Sequence, residues 1–593
     1  MLIQTDEQMD IAFTILMEAP RMVVDTETFY ITPGVETIQL GTVIFAPIAG
    51  REMNVSMYFP FRHQHDPQLF GNTVNLEERH LKKLKAVLER DDVELIFHNA
   101  KFDLKVLEAD GIVPTGKIWD TMLMSHLNDE NERHALKSLN KKLLGKETSD
   151  LREKQVKKLA KDLGNGNIGE GWHKIPPDAM ALYAEEDVAQ THDLWLHFMK
   201  ELPKQELLTL YDREEEFLYL LKEIEQRGVL IDPARAMQLV SECKERREQI
   251  RSELGFDPMQ ARPLARKLFA PPPVGLGFVP QSFGKPSKAF PDGRPVMDKH
   301  VLTQFDHPDV ESILEYRGLV KAESTWFQGF LDLMWPDGRV HPDFRQHGTV
   351  TSRLSCSGPN MQQLPRQDDE DTESKEVKKR VKEIIAAPSG FEVWEFDYSQ
   401  LEPRLAACYS QDPELLRIYN EGEDIYQGIA DTVGITRYQA KQLMLAIMYG
   451  AGGNKTAEML GVPSYESEAI ISTFWEQYPS LRETVEAAQR AARKRGWVRL
   501  WTGRRRHFWY PSEEHKAFNS ILQGGGAEIV KESGLKLKRE HPELRIISQV
   551  HDSYWFEIPT DKSEYYQAEI KRIMEWPSED FHVPFPVEGK RIA

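Results

Sequence analysis

Two carboxylates, Asp25 and Glu27, stand two residues apart in VVDTET, at the end of an apolar run that reads as a strand. Side chains two apart on a strand point the same way, so this pair can share a cation. Alone, such a pair is more often two charges where a strand meets solvent. Two further stretches change that weighting. FHNAKFDLKVL follows another apolar strand and brings Asp103, and YAEEDVAQTHDLW sets Tyr183 and Asp187 four apart, on one face of a helix. Together they make a set of hard oxygen donors, the kind that suits Mg²⁺ or Mn²⁺.

A second group lies in the C-terminal half. WEFDYSQLEPRL places Asp397 at the end of a strand that reads as buried, ahead of a helix. In TRYQAKQLMLAIMYG, Arg437, Lys441, Leu445 and Tyr449 follow at steps of four, which keeps them on one slowly rotating helical face. Two cations one turn apart repel, and a phosphate would relieve that repulsion. A solvated face would explain the charges but not why Leu445 and Tyr449 continue the stripe. IISQVHDSYWFEI supplies two apolar strands meeting at His551 and Asp552, a hairpin able to set its tip beside the Asp397 strand. RKRGWVRLWTGRRRH, residues 493–507, holds seven Lys or Arg, no acid and two tryptophans. Charge for phosphates and rings for bases suit a single-stranded nucleic acid; the alternative is a solvated face with buried tryptophan.

The elements that must position these residues fall into three textures. Up to about residue 205, apolar strands (22–24, 94–97) alternate with helical patterns, as in an α/β unit. From Tyr211 to about Gly255 the pattern is long, charged and helical, and in residues 271–295 eleven of 25 are Pro or Gly, which predicts an irregular loop. Beyond about residue 340, strands bracket a long helical section, so distant pieces of chain share one sheet. The acidic run QDDEDTESKE, 367–376, reads as a solvated loop.

A chain of 593 residues exceeds one hydrophobic core, so two or more domains are expected. No stretch approaches the roughly 20 apolar residues of a membrane span, and the N-terminus lacks the features of a secretory signal. Cys243, Cys356 and Cys408 lie far apart without CxxC spacing, which argues against disulfides or zinc and fits a reducing compartment. The net charge of −19 does not exclude a polyanionic partner, because local charge decides where a groove lies.

About residues 20–200 resemble the DEDD superfamily of 3′-5′ exonucleases, in the form with a tyrosine near the last aspartate. The later motifs resemble motifs A, B and C of the A-family DNA polymerases, the bacterial DNA polymerase I type. ILEYRGLVKAESTW (313–326), TSRLSCSGPNMQQLP (351–365), TGRRRHF (502–508) and HKAFNSILQGGGAEIVK (515–531) extend the resemblance over nearly the whole chain. It implies an α/β multidomain fold: an RNase H-like exonuclease domain (1–205), then a right-hand polymerase domain. The expected divisions of the latter are a thumb (206–340), a palm in two parts (341–410 and 530–593) and fingers (411–529). The implied activity is template-directed DNA synthesis with 3′-5′ proofreading in DNA replication.

What the resemblance implies for single residues is specific. Asp397, Asp552 and the carbonyl of Tyr398 would hold two divalent cations, Mg²⁺ or Mn²⁺; Asp25, Glu27, Asp103 and Asp187 would hold the exonuclease pair, with Tyr183 orienting the attacking water. Arg437 and Lys441 would grip the triphosphate. Leu445, Tyr449, Glu402, Gln400 and His551 would line the nucleotide site, Glu402 excluding a ribose 2′-hydroxyl. Arg353, Asn360, Gln362, Asn519, Gln523, His515, Arg504 and Arg505 would contact DNA. For His98 and Asn99, packing at a strand end weighs as much as touching DNA. The implied partners are primer-template DNA, dNTPs and a single-stranded primer 3′ end. The expected unit is a monomer in the cytoplasm, that of a bacterial host if the source is a bacteriophage, and the 271–295 loop is a place where a replication protein could dock.

The chain also departs from the family pattern. Ser553 stands where motif C usually has Glu, Leu445 where Phe or Tyr is usual, and His515 where Arg is common. The chain stops at VEGKRIA, short of the family's usual tail, so either the last palm contacts are missing or the chain is truncated, and the 5′ nuclease domain of many relatives has no room. Compactness points to a bacteriophage enzyme. The runner-up is an exonuclease whose polymerase-like half binds DNA without synthesis; a single-subunit RNA polymerase is a third reading, against which Glu402 and the exonuclease count.

Overall fold

Met22, Val23 and Val24 are buried, and the run they begin forms the nine-residue strand β1 (Arg21–Phe29). A computed structural model describes residues 1–29, 38–51, 53–71, 73–146, 150–288, 290–364, 380–450 and 452–593, and the acidic run 367–376 lies outside them. β1 pairs antiparallel with β2 (Ile38–Pro47), and β2 with β3 (Asn54–Pro60). On its other side β1 runs parallel to β4 (Glu94–Phe97), and β4 parallel to β5 (Lys117–Asp120), giving the order β3-β2-β1-β4-β5. Parallel neighbours require a crossover, which α1 (Ala100–Ala109) supplies between β4 and β5. α2 (Thr121–Asn128) follows, and the 28-residue α3 (Pro177–Lys204) packs across β1, β2 and β3, burying Val188, Leu194 and Phe198. β1 continues past Glu27 to Phe29, with a register shift between Glu27 and Thr28. The two acids therefore lie within the strand, not at its end.

The helical stretch after residue 205 is two helices, α4 (Leu208–Arg227) and α5 (Pro233–Leu254). Gly228, with φ 65°, ends the first, and a Cβ there would lie 2.6 Å from the Val340 carbonyl oxygen. Only glycine fits that close approach. Pro233, behind the Asp232 cap, restarts the helix.

The second large sheet is centred on β6 (Phe391–Tyr398). Between it and its partners run α6 (Leu401–Ser410), α7 (Ile425–Val433), α8 (Arg437–Met448), the short pair β7 (Trp497–Arg499) and β8 (Arg505–His507), and α9 (Ala517–Glu540). β9 (Arg545–Val550), β10 (Ser553–Pro559) and β11 (Val587–Arg591) complete an antiparallel sheet of order β9-β10-β6-β11. Distant pieces of chain do share one sheet. The last residues join this sheet: β11 pairs with β6 from Trp394↔Arg591 to Tyr398↔Val587, and the Ala593 carbonyl accepts from Val393 N at 2.9 Å.

Behind this sheet lies a buried charge network. Arg504 donates to Glu528 (2.8 Å) and to Glu214 of α4, and Lys531 of α9 donates to Glu214 (2.6 Å). Two acids and two bases balance; burial opposes ionisation of Glu214, yet Lys531 and Arg504 hold it well below the usual carboxylate range. The expectation that Arg504 contacts DNA is thereby corrected, since its side chain is 3% exposed and its charge is spent on internal acids. Arg506 likewise is buried and donates to Glu130 (2.8 Å), so only part of the 493–507 run faces solvent. Replacing Glu214 with Ala would leave Arg504 and Lys531 short of compensation. A loss of about 3–5 kcal/mol is expected, read as a fall of several degrees in the thermal melt; an unchanged melt would show the network to be dispensable.

Ion pairs join the two units: Lys101 with Glu225, Lys222 with Glu108, Lys117 with Asp212, and Arg506 with Glu130. No helix among the described residues is long and apolar enough to cross a membrane, and the three cysteines are free thiols.

Candidate active sites

The first site is built where β1, α1 and α3 converge. Thr26, between Asp25 and Glu27, donates its backbone N (2.9 Å) and its Oγ1 (2.7 Å) to Asp103 Oδ1, tying α1 to β1. Asp120 fixes the start of α1 by accepting from Asn99 N (3.0 Å) and Ala100 N (2.8 Å), with Asn99 at φ 75°. From α3, Asp187 faces the same centre, bonded to Tyr183 one turn earlier. Lys137 lies 3.8 Å from Asp187 and 5.0 Å from the Tyr183 ring centre.

Electrostatics set this group apart. Burial, then repulsion by Asp103, Glu27 and Asp187, raises Asp25 far above the carboxylate range. Burial, then Asp187 and Asp103, pushes Glu27 up to about 8; burial lifts Asp103 to about 7 against its Thr26 bonds. Asp187 is raised by burial, which Lys137 and the Tyr183 bond only partly offset, and its Oδ1 is buried without a hydrogen-bond partner. Crowded carboxylates with an orphaned oxygen fit hard divalent cations.

His98 is half-buried at the end of β4. Its Nδ1 meets Thr121 Oγ1 at 2.8 Å, and burial drives the imidazole down to about 3, so it stays neutral. Lys137, Asp120 and Thr26 were not legible in the sequence. A lysine in a helical stretch, a strand-end aspartate and a threonine in a strand each carry no signal of their own.

The second site forms at the tip of the β9–β10 hairpin. Val550 pairs with Ser553, so His551 and Asp552 are its two turn residues, His551 at φ 53° as the tight turn requires. Asp397 of β6 stands opposite Ser553, and Tyr398 N meets the Asp552 carbonyl at 3.5 Å. The Tyr398 hydroxyl is buried against Ser533 and the Met574 carbonyl, which leaves its backbone as the group it can offer. Two aspartates and a carbonyl are hard donors that fit a divalent cation. Arg353 hydrogen-bonds Glu402 of α6 and lies 3.6 Å from Asp552 Oδ1, while the Tyr449 hydroxyl donates to Glu402 at 3.1 Å. Burial and then Asp552 raise Glu402, against the pull of Arg353.

Gln362 clamps the hairpin: its Nε2 donates to the Gln549 carbonyl (2.9 Å) and its Oε1 accepts from His551 N (2.8 Å). Asn360 caps the Gln362 turn at 3.1 Å. These bonds occupy both ends of the Gln362 amide, whereas Asn360 stays exposed beside the turn it caps. Gln400, at φ 56° before α6, accepts from the Tyr419 hydroxyl at 3.4 Å.

On α8, Arg437 and Lys441 are exposed, Leu445 is half-buried and Tyr449 is 38% exposed, so the stripe faces outward as one. Arg437 is held by Asp424, the N-cap of α7, at 2.7 Å. Asn519 and Gln523 lie one turn apart on α9, Gln523 bonded to Tyr449, and His515 is exposed just before that helix. Arg505 packs over the Trp497 ring, 4.4 Å from its centre. Asp129, Glu130 and His507 bring ligand atoms within 4.8 Å of one another at the junction of the two units, where Arg506 already neutralises Glu130.

Residues 277–591 match the family described as DNA polymerase family A, and residues 1–203 the family described as 3′-5′ exonuclease. A DNA polymerase I of Synechocystis sp. is 26% identical over 616 residues, covering 96% of this chain and 59% of that protein. A DNA polymerase I of Pseudomonas aeruginosa is 28% identical, covering 97% of this chain and 63% of that protein. The thermostable DNA polymerase I of Thermus thermophilus is 31% identical, covering 65% of this chain and 48% of that protein. The chain thus spans 48–63% of the length of these relatives. The solved polymerase domain of Pol1 from M. smegmatis, in complex with DNA primer-template and dNTP, shares the fold at TM-score 0.79 and 20% identity, over 100% of this chain and 98% of that one.

Proposed function

Because this chain belongs to DNA polymerase family A and carries a 3′-5′ exonuclease domain ahead of the family region, we propose that it extends a primer on a DNA template and removes mispaired 3′ ends. The observation that carries the reading is that Asp397 on β6 stands opposite Ser553, which sets the Asp552 turn beside it, in the same half of the chain as the outward cationic stripe of α8. In this reading β6 and β9–β11 form the palm, α8 belongs to the fingers, and α5 with the following loop forms the thumb. Both sites are built within one chain, so the proposed unit is a monomer, at work in the cytoplasm on primer-template and dNTPs.

Divalent cations, proposed as two Mg²⁺ or Mn²⁺ per site, would when bound supply charge stabilisation for an in-line phosphoryl displacement. Asp397, Asp552 and the Tyr398 carbonyl would hold them at the synthetic site, and Asp25, Glu27, Asp103 and Asp187 at the exonuclease site. Lys441 receives the triphosphate, and Arg437 joins it by exchanging Asp424 for phosphate. Tyr183 orients the water that attacks the 3′-terminal phosphodiester. Asn519, Gln523, His515 and Arg505 would contact duplex and template, and Arg353 would contact the primer terminus.

Extension of a short primer-template by the intact chain with Mg²⁺ and four dNTPs tests the proposal. If a protein with its exonuclease disabled still only binds the DNA, synthesis is absent and the binding-only reading replaces this one. Glu402 gives a finer test. Arg353 and Tyr449 pin its carboxylate, so it cannot swing aside for a 2′-hydroxyl. Glu402→Ala is expected to raise ribonucleotide use relative to deoxynucleotide use by about 10–100-fold, in the range of 1–3 kcal/mol per altered pocket contact. An unchanged ratio of kcat/KM values would remove Glu402 from sugar selection.

A further inference from the structure

The two aspartates are not the only acids on their face of the sheet. Glu395 precedes Asp397 by two residues on β6, so both side chains emerge from the same face, roughly 7 Å apart along the strand. Across the strand pair, Asp397 stands opposite Ser553 and Glu395 opposite Trp555. Glu395 Oε1 accepts from Trp555 Nε1 at 3.0 Å and lies 3.3 Å from Ser553 Oγ, whose one proton is shared between this carboxylate and the Val550 carbonyl at 2.8 Å. Its other oxygen, Oε2, accepts from Lys382 Nζ at 2.6 Å, and Lys382 sits 5.4 Å from the Trp555 ring centre. The acid and base are 15% and 11% exposed, so water screens the pair weakly. The carboxylate therefore turns one oxygen toward the residue that follows Asp552 and the other toward a lysine.

We propose that Glu395 is a positioning residue of the synthetic site: it anchors Ser553 and Trp555 behind the hairpin tip and adds negative charge that draws divalent cations to Asp397 and Asp552, with Lys382 setting how much of that charge is felt. This rests on the reading of Asp397 and Asp552 as cation ligands. A hydroxyl at 553 holds no cation by charge, but it links the hairpin to an acid that the neighbouring strand supplies. Asp397 on β6 and Asp552 on the turn are thereby fixed relative to each other through the Glu395 side chain as well as the backbone ladder.

The roles of acid and base predict opposite signs. Mn²⁺ binding is measured from the electron paramagnetic resonance signal of the free ion, using the full chain with Asp25→Ala and Glu27→Ala so that the exonuclease cluster does not count. A dideoxy-terminated primer-template and the matching dNTP are present, so no turnover occurs. Glu395→Gln keeps the shape and most hydrogen bonds and is expected to weaken Mn²⁺ binding by about three- to tenfold, as for one charge acting on a divalent ion across roughly 7 Å in a strongly screening medium. Lys382→Met is expected to tighten binding by a similar factor. Melting temperatures close to that of the parent would place the effect at the site. Unchanged Mn²⁺ binding in both variants, or weakening in both, overturns the proposal and leaves Glu395 as a packing partner of Trp555. If Glu395→Gln does not fold, the sign of the Lys382→Met shift decides alone. Failure of Asp552→Ala to remove Mn²⁺ from the parent would instead overturn the reading of the site itself, and the role of Glu395 with it.

Discussion

Replacing Asp552 by alanine is expected to reduce primer extension by about a thousandfold or more, the effect of losing several kcal/mol of transition-state stabilisation, while removal of 3′-terminal nucleotides continues. The hairpin tip gives two reasons. Asp552 and Asp397 are the aspartates that the β6–β10 pairing brings together, so losing one leaves a single carboxylate beside the Tyr398 carbonyl. Asp552 also lies 3.6 Å from Arg353, whose guanidinium would then answer to Glu402 alone. The exonuclease carboxylates stand on β1, α1 and α3 and share no residue with the hairpin. Shortening of primers without extension is therefore the expected phenotype. Comparable extension by the variant and the parent would remove Asp552 from the chemistry.

The mirror experiment disables the other site. A protein with Asp25→Ala and Glu27→Ala is expected to lose about a thousandfold or more of its exonuclease rate by the same reasoning, and to keep extending primers. pH supplies an independent check. In the cation-free protein, burial and repulsion hold Glu27 up at about 8 and Asp103 at about 7. In the unfolded chain these carboxyls ionise in the ordinary range near 4, so between that range and about pH 8 the folded state binds more protons and its stability falls as pH rises. Bound cations replace those protons, so their stabilising effect grows over the same interval. The gain in melting temperature on adding Mg²⁺ should be larger at pH 8 than at pH 6, and that difference should shrink in the double variant, which keeps Asp103. Equal gains at both pH values would mean that the cluster does not gather cations.

Much of both sites was legible because their spacing is local. Period two in a strand aligns Asp25 with Glu27, period four in a helix aligns Tyr183 with Asp187 and Arg437 with Lys441, and a turn between two apolar runs exposes Asp552. What escaped was decided by partners far away in the chain. The run at 493–507 reads as uniformly basic, yet Arg504 finds Glu214 and Arg506 finds Glu130, about 290 and 376 positions away. Composition cannot show an acid that only the fold brings near. The break at Gly228 escaped because a charged amphipathic pattern continues across it, and the cause is the backbone of Val340. β11 escaped because Val587–Arg591 is short and charged, acceptable in a strand at the edge of a sheet. Glu395 and Lys382 escaped for a similar reason, since neither residue type signals a partner across strands.

The guanidinium of Arg353 spans Glu402 and Asp552, and this single bridge limits how such a chain can change over generations. If Glu402 selects the sugar and Asp552 the rate, as proposed, a mutation at residue 402 would also release a positive charge toward residue 552, so selectivity and speed would not drift as separate traits. Substitutions at 353, 402 and 552 should be strongly epistatic, each changing the consequence of the others. A lineage adapting to altered nucleotides would reach them by changing two of the three together, and single steps would tend to be culled.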